Sequence, residues 1–303
     1  MTLVRGAATL CPTRRLHLGA LAAGAALAAL GAAQSTPANG ESKVPLIVAH
    51  RACSVETSAY EAPARCAENT LAAIRETARL SADMAELDVR VSADGALVLL
   101  HDKRLARTTN GRGKVHETTL EHLRTLDAGG GERIPTLEEA LALSARLELP
   151  VLLDLKTRRV TSDALVRSLS ARDPRAPVYV GAHSPERVRE LRALEPGLRI
   201  VALPMSRARL GAYLDARPDG VRVWARWANK KLVARLRAAR VDIWVTLGSR
   251  GRAHHARILA LGVDAMITDR PVLLDSLREA SERSASQHPA PRFPPVQYAS
   301  LRD

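Results

Sequence analysis

Residues 85–102, AELDVRVSADGALVLLHD, decide how the rest of the chain is read. An apolar run carries Glu86 and Asp88 one residue apart, Asp94-Gly95 follows, and a second apolar run ends on His101. Two parallel strands need a crossover of a dozen or more residues. Only RVSADGA separates these runs, so the second is the return arm of a hairpin. With Asp94-Gly95 as a two-residue turn, position 93 pairs with 96 and Asp88 falls opposite His101. Strand side chains alternate, so Glu86 and Asp88 share one face while Leu87 and Val89 take the other.

Outward from this hairpin, apolar runs alternate with Ala/Leu/Arg segments of helical period. They are LIVAH (46–50), MAELDV (84–89), LVLLH (97–101), PVLLDLK (150–156), VYVGAH (178–183), LRIVAL (198–203), GVRVWA (220–225), DIWVT (242–246) and AMIT (265–268). With the hairpin arm removed, eight strands remain, each followed by a helix or a longer excursion. The expected fold class is therefore α/β, a closed (β/α)8 TIM barrel with a hairpin after its second strand and an inserted segment at about 103–148. Pro135 and Thr136 sit where the last helix of that insertion should be capped.

At 46% hydrophobic, the 303 residues can bury a large core, and with 3% aromatics that core must be aliphatic. The net charge of +13 comes mostly from scattered arginines without a dense tract or interleaved aromatics, which argues against nucleic acid as a partner. Neither GxxxxGK nor GxGxxG after a strand is present, so nucleotide chemistry has no support.

Residues 1–33 read as an export signal. Thr13-Arg14-Arg15-x-x-Leu18 precedes an Ala/Leu segment and small residues at Gly31 and Ala33, a twin-arginine-like arrangement. The expected location is periplasmic or extracellular, with a retained membrane anchor as the competing reading. A linker at 34–43, a barrel domain at 44–278 and a polar, Pro-containing disordered tail at 279–303 complete the expected organisation. Cys53 and Cys66 would remain after cleavage, either as a disulfide or as two buried thiols.

Polar residues gather at five strand ends: His50-Arg51, Glu86-x-Asp88, His101-Asp102, Asp154-x-Lys156 and His183. In such a barrel these ends converge on the active site. Three inward carboxylates, Glu86, Asp88 and Asp154, would repel one another unless a cation held them, and an all-oxygen set selects Mg2+ or Ca2+ over Zn2+. A hard cation beside Arg51 and Lys156, with two histidines to exchange protons, suits phosphodiester cleavage. His183 reads as structural, and Trp224 and Trp227 as packing under a loop.

VAHR (48–51), ENTLAAI (68–74), ELDVRVSADGALVLLHD (86–102), RTTNGRG (107–113), IPTLEEAL (134–141), LLDLK (152–156) and GVDAMITDRP (262–271) resemble the glycerophosphodiester phosphodiesterase family, of the phosphatidylinositol-phospholipase-C-like superfamily. The resemblance implies His50 and His101 as the general acid/base pair, and Glu86, Asp88 and Asp154 as ligands of one divalent cation. It implies Arg51 and Lys156 on the phosphate and Trp244 lining the glycerol pocket. The implied reaction converts a small-molecule glycerophosphodiester to sn-glycerol 3-phosphate and an alcohol through a cyclic phosphate, and allows transient contact with a membrane surface. A phospholipase C- or D-like activity on lysolipid or phosphoinositol substrates, and a non-catalytic barrel, are the alternatives. The sequence departs from the family pattern at Ala52, Ala67 and Asp154, where Gly, Pro and Glu are usual. It also carries an insertion, CSVETSAYEAPARC (53–66), expected to form a rim loop near the substrate alcohol. The oligomeric state is not legible.

Overall fold

The computed structural model describes residues 44–53, 67–80, 82–170 and 175–287. The proposed signal and linker, residues 54–66 with Cys66, and the last 16 residues lie outside these ranges. Cys53 is disulfide-bonded.

The chain runs β1 (Leu46–Ala49), α1 (Leu71–Arg79), β2 (Met84–Val91), β3 (Leu97–Leu99), α2 (Leu120–Leu123), α3 (Leu137–Arg146), β4 (Val151–Leu155) and α4 (Ser162–Ser170). It continues through β5 (Val178–Ala182), α5 (Pro185–Leu194), β6 (Arg199–Ala202), α6 (Leu210–Asp215), β7 (Gly220–Trp224) and α7 (Lys230–Ala238), then β8 (Asp242–Gly248), α8 (Arg252–Leu259), β9 (Ala265–Thr268) and α9 (Pro271–Gln287). The sheet order is β1-β9-β8-β7-β6-β5-β4-β2-β3, and a parallel β1–β2 pairing closes eight strands into a barrel. β3 hangs antiparallel on β2 outside the ring.

Alternation along the strands separates two cores. Leu87 and Val89 face the helices with Ala73, Ile74 and Leu141, and Val221 and Val223 do the same against Leu232 and Leu236. The interior holds Val48, Met84, Leu152, Val201, Ile267 and Trp244. Helix starts are set locally. Thr136 and Glu139 form a reciprocal capping box at α3, and Asn229 caps α7 through the Leu232 amide.

Three expectations need correction. The hairpin pairs Val89 with Leu99 and closes Ser92 onto Ala96, so three residues, 93–95, form its loop, with Gly95 at φ +88°. A type I turn ending in a left-handed glycine fits the strand twist as well as a two-residue turn does, and it shifts the register by one. Asp88 therefore lies opposite Leu100, whose amide donates to the Asp88 carbonyl at 3.0 Å. His101 reaches the carboxylates because the chain leaves the strand after Leu99 and the Arg90 guanidinium holds the His101 carbonyl at 2.9 Å.

The inserted segment also ends sooner than expected. α3 packs on α1 and β3 as one of the barrel's own helices. The insertion proper has a small core of its own, built from Val98, Leu105, Val115, Leu123 and Ile134.

The expected tail begins too early as well. α9 continues nine residues past 278 to Gln287, anchored where Arg278 bridges Asp83 at 2.6 Å and Asp275 at 2.9 Å. Apolar periodicity stops at Leu277, and the helix runs on with exposed side chains.

Candidate active site

The C-terminal strand ends surround a cavity of about 450 Å³, lined by His50, Arg51, Glu86, His101, Asp154, Lys156 and His183 on one side. Its acidic floor is fixed by register. β2 and β4 align Asp88 with Asp154, and the period of two brings Glu86 and Lys156 to the same face. One carboxylate oxygen from each of Glu86, Asp88 and Asp154 lies within 4.8 Å of the others, and all three residues are buried.

Each carboxylate is held differently. β1 ends at Ala49, and Arg51 and Ala52 then adopt left-handed conformations at φ 57° and 53°, where Ala52 replaces the usual glycine. That turn aims the Arg51 amide at Glu86 Oε2, 2.8 Å away. Asn69, itself at φ 60°, locks Asp88 twice: its amide nitrogen donates to Oδ2 at 2.7 Å, and the Asp88 amide donates to its oxygen at 2.9 Å. Asp154 Oδ1 meets His183 Nε2 at 2.5 Å, and Asp154 Oδ2 accepts from Lys156 Nζ at 2.7 Å. Burial, then the charge of Asp88, pushes Glu86 up to about 8. Burial alone would raise Asp154 too, but the His183 and Lys156 contacts hold it well below the usual carboxylate range. Burial would lower Lys156, but the charges of Asp88 and Asp154 overcome this and raise it.

This donor set fits a hard divalent cation. Three oxygens converge, and Asp88 Oδ1 is buried without a hydrogen bond, although Lys156 Nζ sits 2.9 Å away as an ionic neighbour. The Lys156 ammonium lies against both Asp88 and Asp154, so the protein itself neutralises part of the cluster's charge.

Two histidines flank the acids, each backed by an aspartate. His50 Nδ1 bonds Asp269 Oδ1 at 2.6 Å, and His101 Nδ1 bonds Asp102 Oδ1 at 2.6 Å. Both rings line the cavity with Nδ1 committed to the aspartate. Burial would lower His50, yet the bond to Asp269 and the charge of Glu86 leave it raised, whereas burial leaves His101 lowered. Asp102 is held down to about 2, chiefly by its hydrogen bond from Arg107. Arg107 also donates to Glu68 at 2.6 Å, and Glu68 accepts from Arg51 at 3.0 Å, so charged contacts run from His101 to Arg51.

The structure thus brings together His50, His101, Arg51, Lys156, Glu86, Asp88 and Asp154. Trp244 is not among them. It is 2% exposed in the barrel interior, its ring 5.4 Å from that of Tyr179, in space that Gly220 opens by lacking a Cβ. Trp224 lines the pocket instead, because Arg222 and Trp224 take the inward face of β7. His183, read as structural from sequence, touches both the acid cluster and the cavity. Asp269, Glu68, Asn69, Arg107 and Arg222 were not singled out as site residues. Glu68 and Asn69 sit in the ENT motif that leads into α1, and Asp269 in the TD that ends β9, which was the signal available.

Residues 50–273 match the glycerophosphoryl diester phosphodiesterase family. The chain is 29% identical over 245 residues to a glycerophosphodiester phosphodiesterase of Caldanaerobacter subterraneus subsp. tengcongensis, covering 77% of this chain and 97% of that one. Among solved structures it is similar to an Oleispira antarctica phosphodiesterase in complex with the product sn-glycerol-3-phosphate, at TM-score 0.68 and 25% identity, covering 78% of this chain and 97% of that one. It is also similar to a glycerophosphodiester phosphodiesterase from Agrobacterium tumefaciens, at TM-score 0.61 and 30% identity, covering 77% of this chain and 99% of that one.

Proposed function

This chain belongs to the glycerophosphoryl diester phosphodiesterase family, and we propose that it is a metal-dependent enzyme that releases sn-glycerol 3-phosphate and an alcohol by His/His acid-base catalysis. The observation that carries the reading is the cluster of Glu86, Asp88 and Asp154 between two histidines whose Nδ1 atoms are each bound to an aspartate 2.6 Å away.

Arg51 and Lys156 line the cavity beside the acids and would hold the non-bridging phosphate oxygens. Glu86, Asp88 and Asp154 would hold one Mg2+ or Ca2+, whose chemistry here is neutralisation of charge gathering on the phosphoryl group. The opposite shifts of the histidines support a division of roles. His101, whose pKa burial lowers, takes the proton of the glycerol 2-hydroxyl as its oxygen bonds to phosphorus. His50, whose pKa the bond to Asp269 raises, gives its proton to the departing alcohol oxygen as the phosphorus–oxygen bond breaks. The adjacent hydroxyl is already in place, so its attack has a high effective molarity. Water then opens the cyclic phosphate with the two histidines in exchanged roles.

The N-terminal Thr-Arg-Arg-x-x-Leu and its apolar segment support export, so the reaction would take place outside the cytoplasm on a small soluble diester. Among the described residues no helix is long and apolar enough to cross a membrane.

Turnover of glycerophosphoglycerol, with and without EDTA, tests the reading alongside His50→Ala and His101→Ala. Chelation and either substitution should each abolish most of the activity. Activity indifferent to EDTA would remove the metal, and activity indifferent to both substitutions would remove the proton-transfer roles.

A further inference from the structure

The acids, the two histidines, Arg51 and Lys156 account for one side of the pocket and leave the other unexplained. β7 stands across the barrel from β2, and from it and the adjoining loops Arg222, Trp224, Arg226 and Arg250 line the same cavity. Arg222 is 5% exposed, and its Nη1 is buried with no hydrogen-bond partner. Among the described residues no carboxylate pairs with Arg222, Arg226 or Arg250. The charges of Asp154 and Glu86 act on Arg222 without contact, so its buried nitrogen stays unmatched, a costly arrangement unless something negative meets it.

Trp224 sharpens the case. A tryptophan in a phosphodiester pocket could bind a quaternary ammonium on its face. Here that ring already has the Arg222 guanidinium 4.3 Å and the Arg226 guanidinium 5.4 Å from its centre. A cationic headgroup brought to the indole would meet two like charges. Arg51 and Lys156 are matched by Glu68, Asp88 and Asp154, whereas Arg222, Arg226 and Arg250 line the cavity with no carboxylate in contact among the described residues.

We propose that this wall is a second anion subsite for the alcohol half of the diester, so that the enzyme selects glycerophosphodiesters whose alcohol carries a phosphate monoester. The proposal rests on the phosphodiesterase reading above and adds its substrate class. Arg222, stacked on Trp224 and fixed by burial, presents its fork to the monoester at depth, while exposed Arg226 and Arg250 draw it in at the mouth.

The test compares kcat/KM for glycerophosphoglycerol, for its terminally phosphorylated ester and for glycerophosphocholine. The phosphorylated diester should be favoured over glycerophosphoglycerol by at least tenfold at low salt, and the choline diester should be the poorest. The preference should shrink as salt screens the mouth. Arg222→Gln should bring the ratio of the first two close to one. The double variant Arg226→Ala/Arg250→Ala, which alters only exposed side chains, should lower the same ratio severalfold through KM and keeps the test open should Arg222→Gln fail to fold. A ratio near one in the unmodified enzyme overturns the proposal. So does an equal loss on all three substrates in Arg222→Gln, which would put that guanidinium on the reacting phosphate. Absence of turnover on every diester would instead strike the phosphodiesterase reading, and this proposal with it.

Discussion

Metal affinity should follow the protonation of Glu86. With its carboxyl pushed up to about 8 by burial and by Asp88, this group holds a proton in most molecules at neutral pH. At pH 7 roughly one molecule in ten has it ionised, and at pH 6 roughly one in a hundred. A divalent cation needs the carboxylate, so binding below pH 8 must expel that proton. Apparent affinity should therefore rise about tenfold per pH unit, or about 1.4 kcal/mol, between pH 6 and 8 and level off above pH 9. Lys156 contributes no slope in this window, because its pKa is raised and it stays charged throughout. Calorimetric titration of metal-free enzyme with Ca2+ or Mg2+, in two buffers of different ionisation enthalpy at pH 6, 7 and 9, reads affinity and proton release together. Glu86→Gln isolates the group: its amide oxygen can still accept from the Arg51 amide, so the fold should survive while affinity drops and the pH slope flattens. Affinity constant from pH 6 to 8, or binding without proton release at pH 6, would refute the reasoning.

Asp269→Asn and Asp102→Asn each remove a charge-assisted hydrogen bond to a histidine, worth roughly 1.5–3 kcal/mol, so kcat should fall about ten- to a hundredfold with little change in KM. Because Asp269 stabilises protonated His50, its loss should also move the alkaline limb of the rate profile to lower pH, which steady-state assays across pH will show. Gly95→Val forces a β-branched residue to φ +88° at the hairpin tip and should lower stability by about 1–2 kcal/mol in urea titrations, with kcat retained in the folded fraction. Thr136→Ala breaks the α3 capping box and should cost about 1 kcal/mol by the same measurement, again without a change in kcat.

The barrel was legible because its constraints are local. Eight short apolar runs, each too far from the next for a hairpin, leave few topologies, and the single pair too close for a crossover identified β3. Register was less legible. Nothing in VSADGA distinguishes a two-residue turn from a three-residue turn closed by a left-handed Gly95, since both place Gly after Asp and both satisfy the strand twist. The end of α9 was missed for a different reason: past Leu277 its turns expose their side chains, Arg283 beside Glu279 among them, and exposed turns leave no trace in apolar periodicity.

The same alternation that exposed Glu86 and Asp88 also held information that went unread. In ELDV the apolar Leu87 and Val89 face the helices and the acids face in, which inverts the usual half-buried strand. GVRVW repeats that pattern across the barrel: Val221 and Val223 enter the helical core, so Arg222 and Trp224 must point inward at the catalytic end. An arginine between two valines ordinarily reads as solvent-facing, and only barrel closure turns its face into the interior. Trp244 aligns with Arg222 in register yet is packed on Tyr179 within that interior. Which tryptophan reaches the cavity therefore depends on the depth of each residue along its strand, which sequence alternation alone does not carry. The partners of the histidines are harder still. Asp269 lies 219 residues from His50, and only closure of β9 onto β1, with Thr268 beside Ala49, brings that carboxylate to the ring.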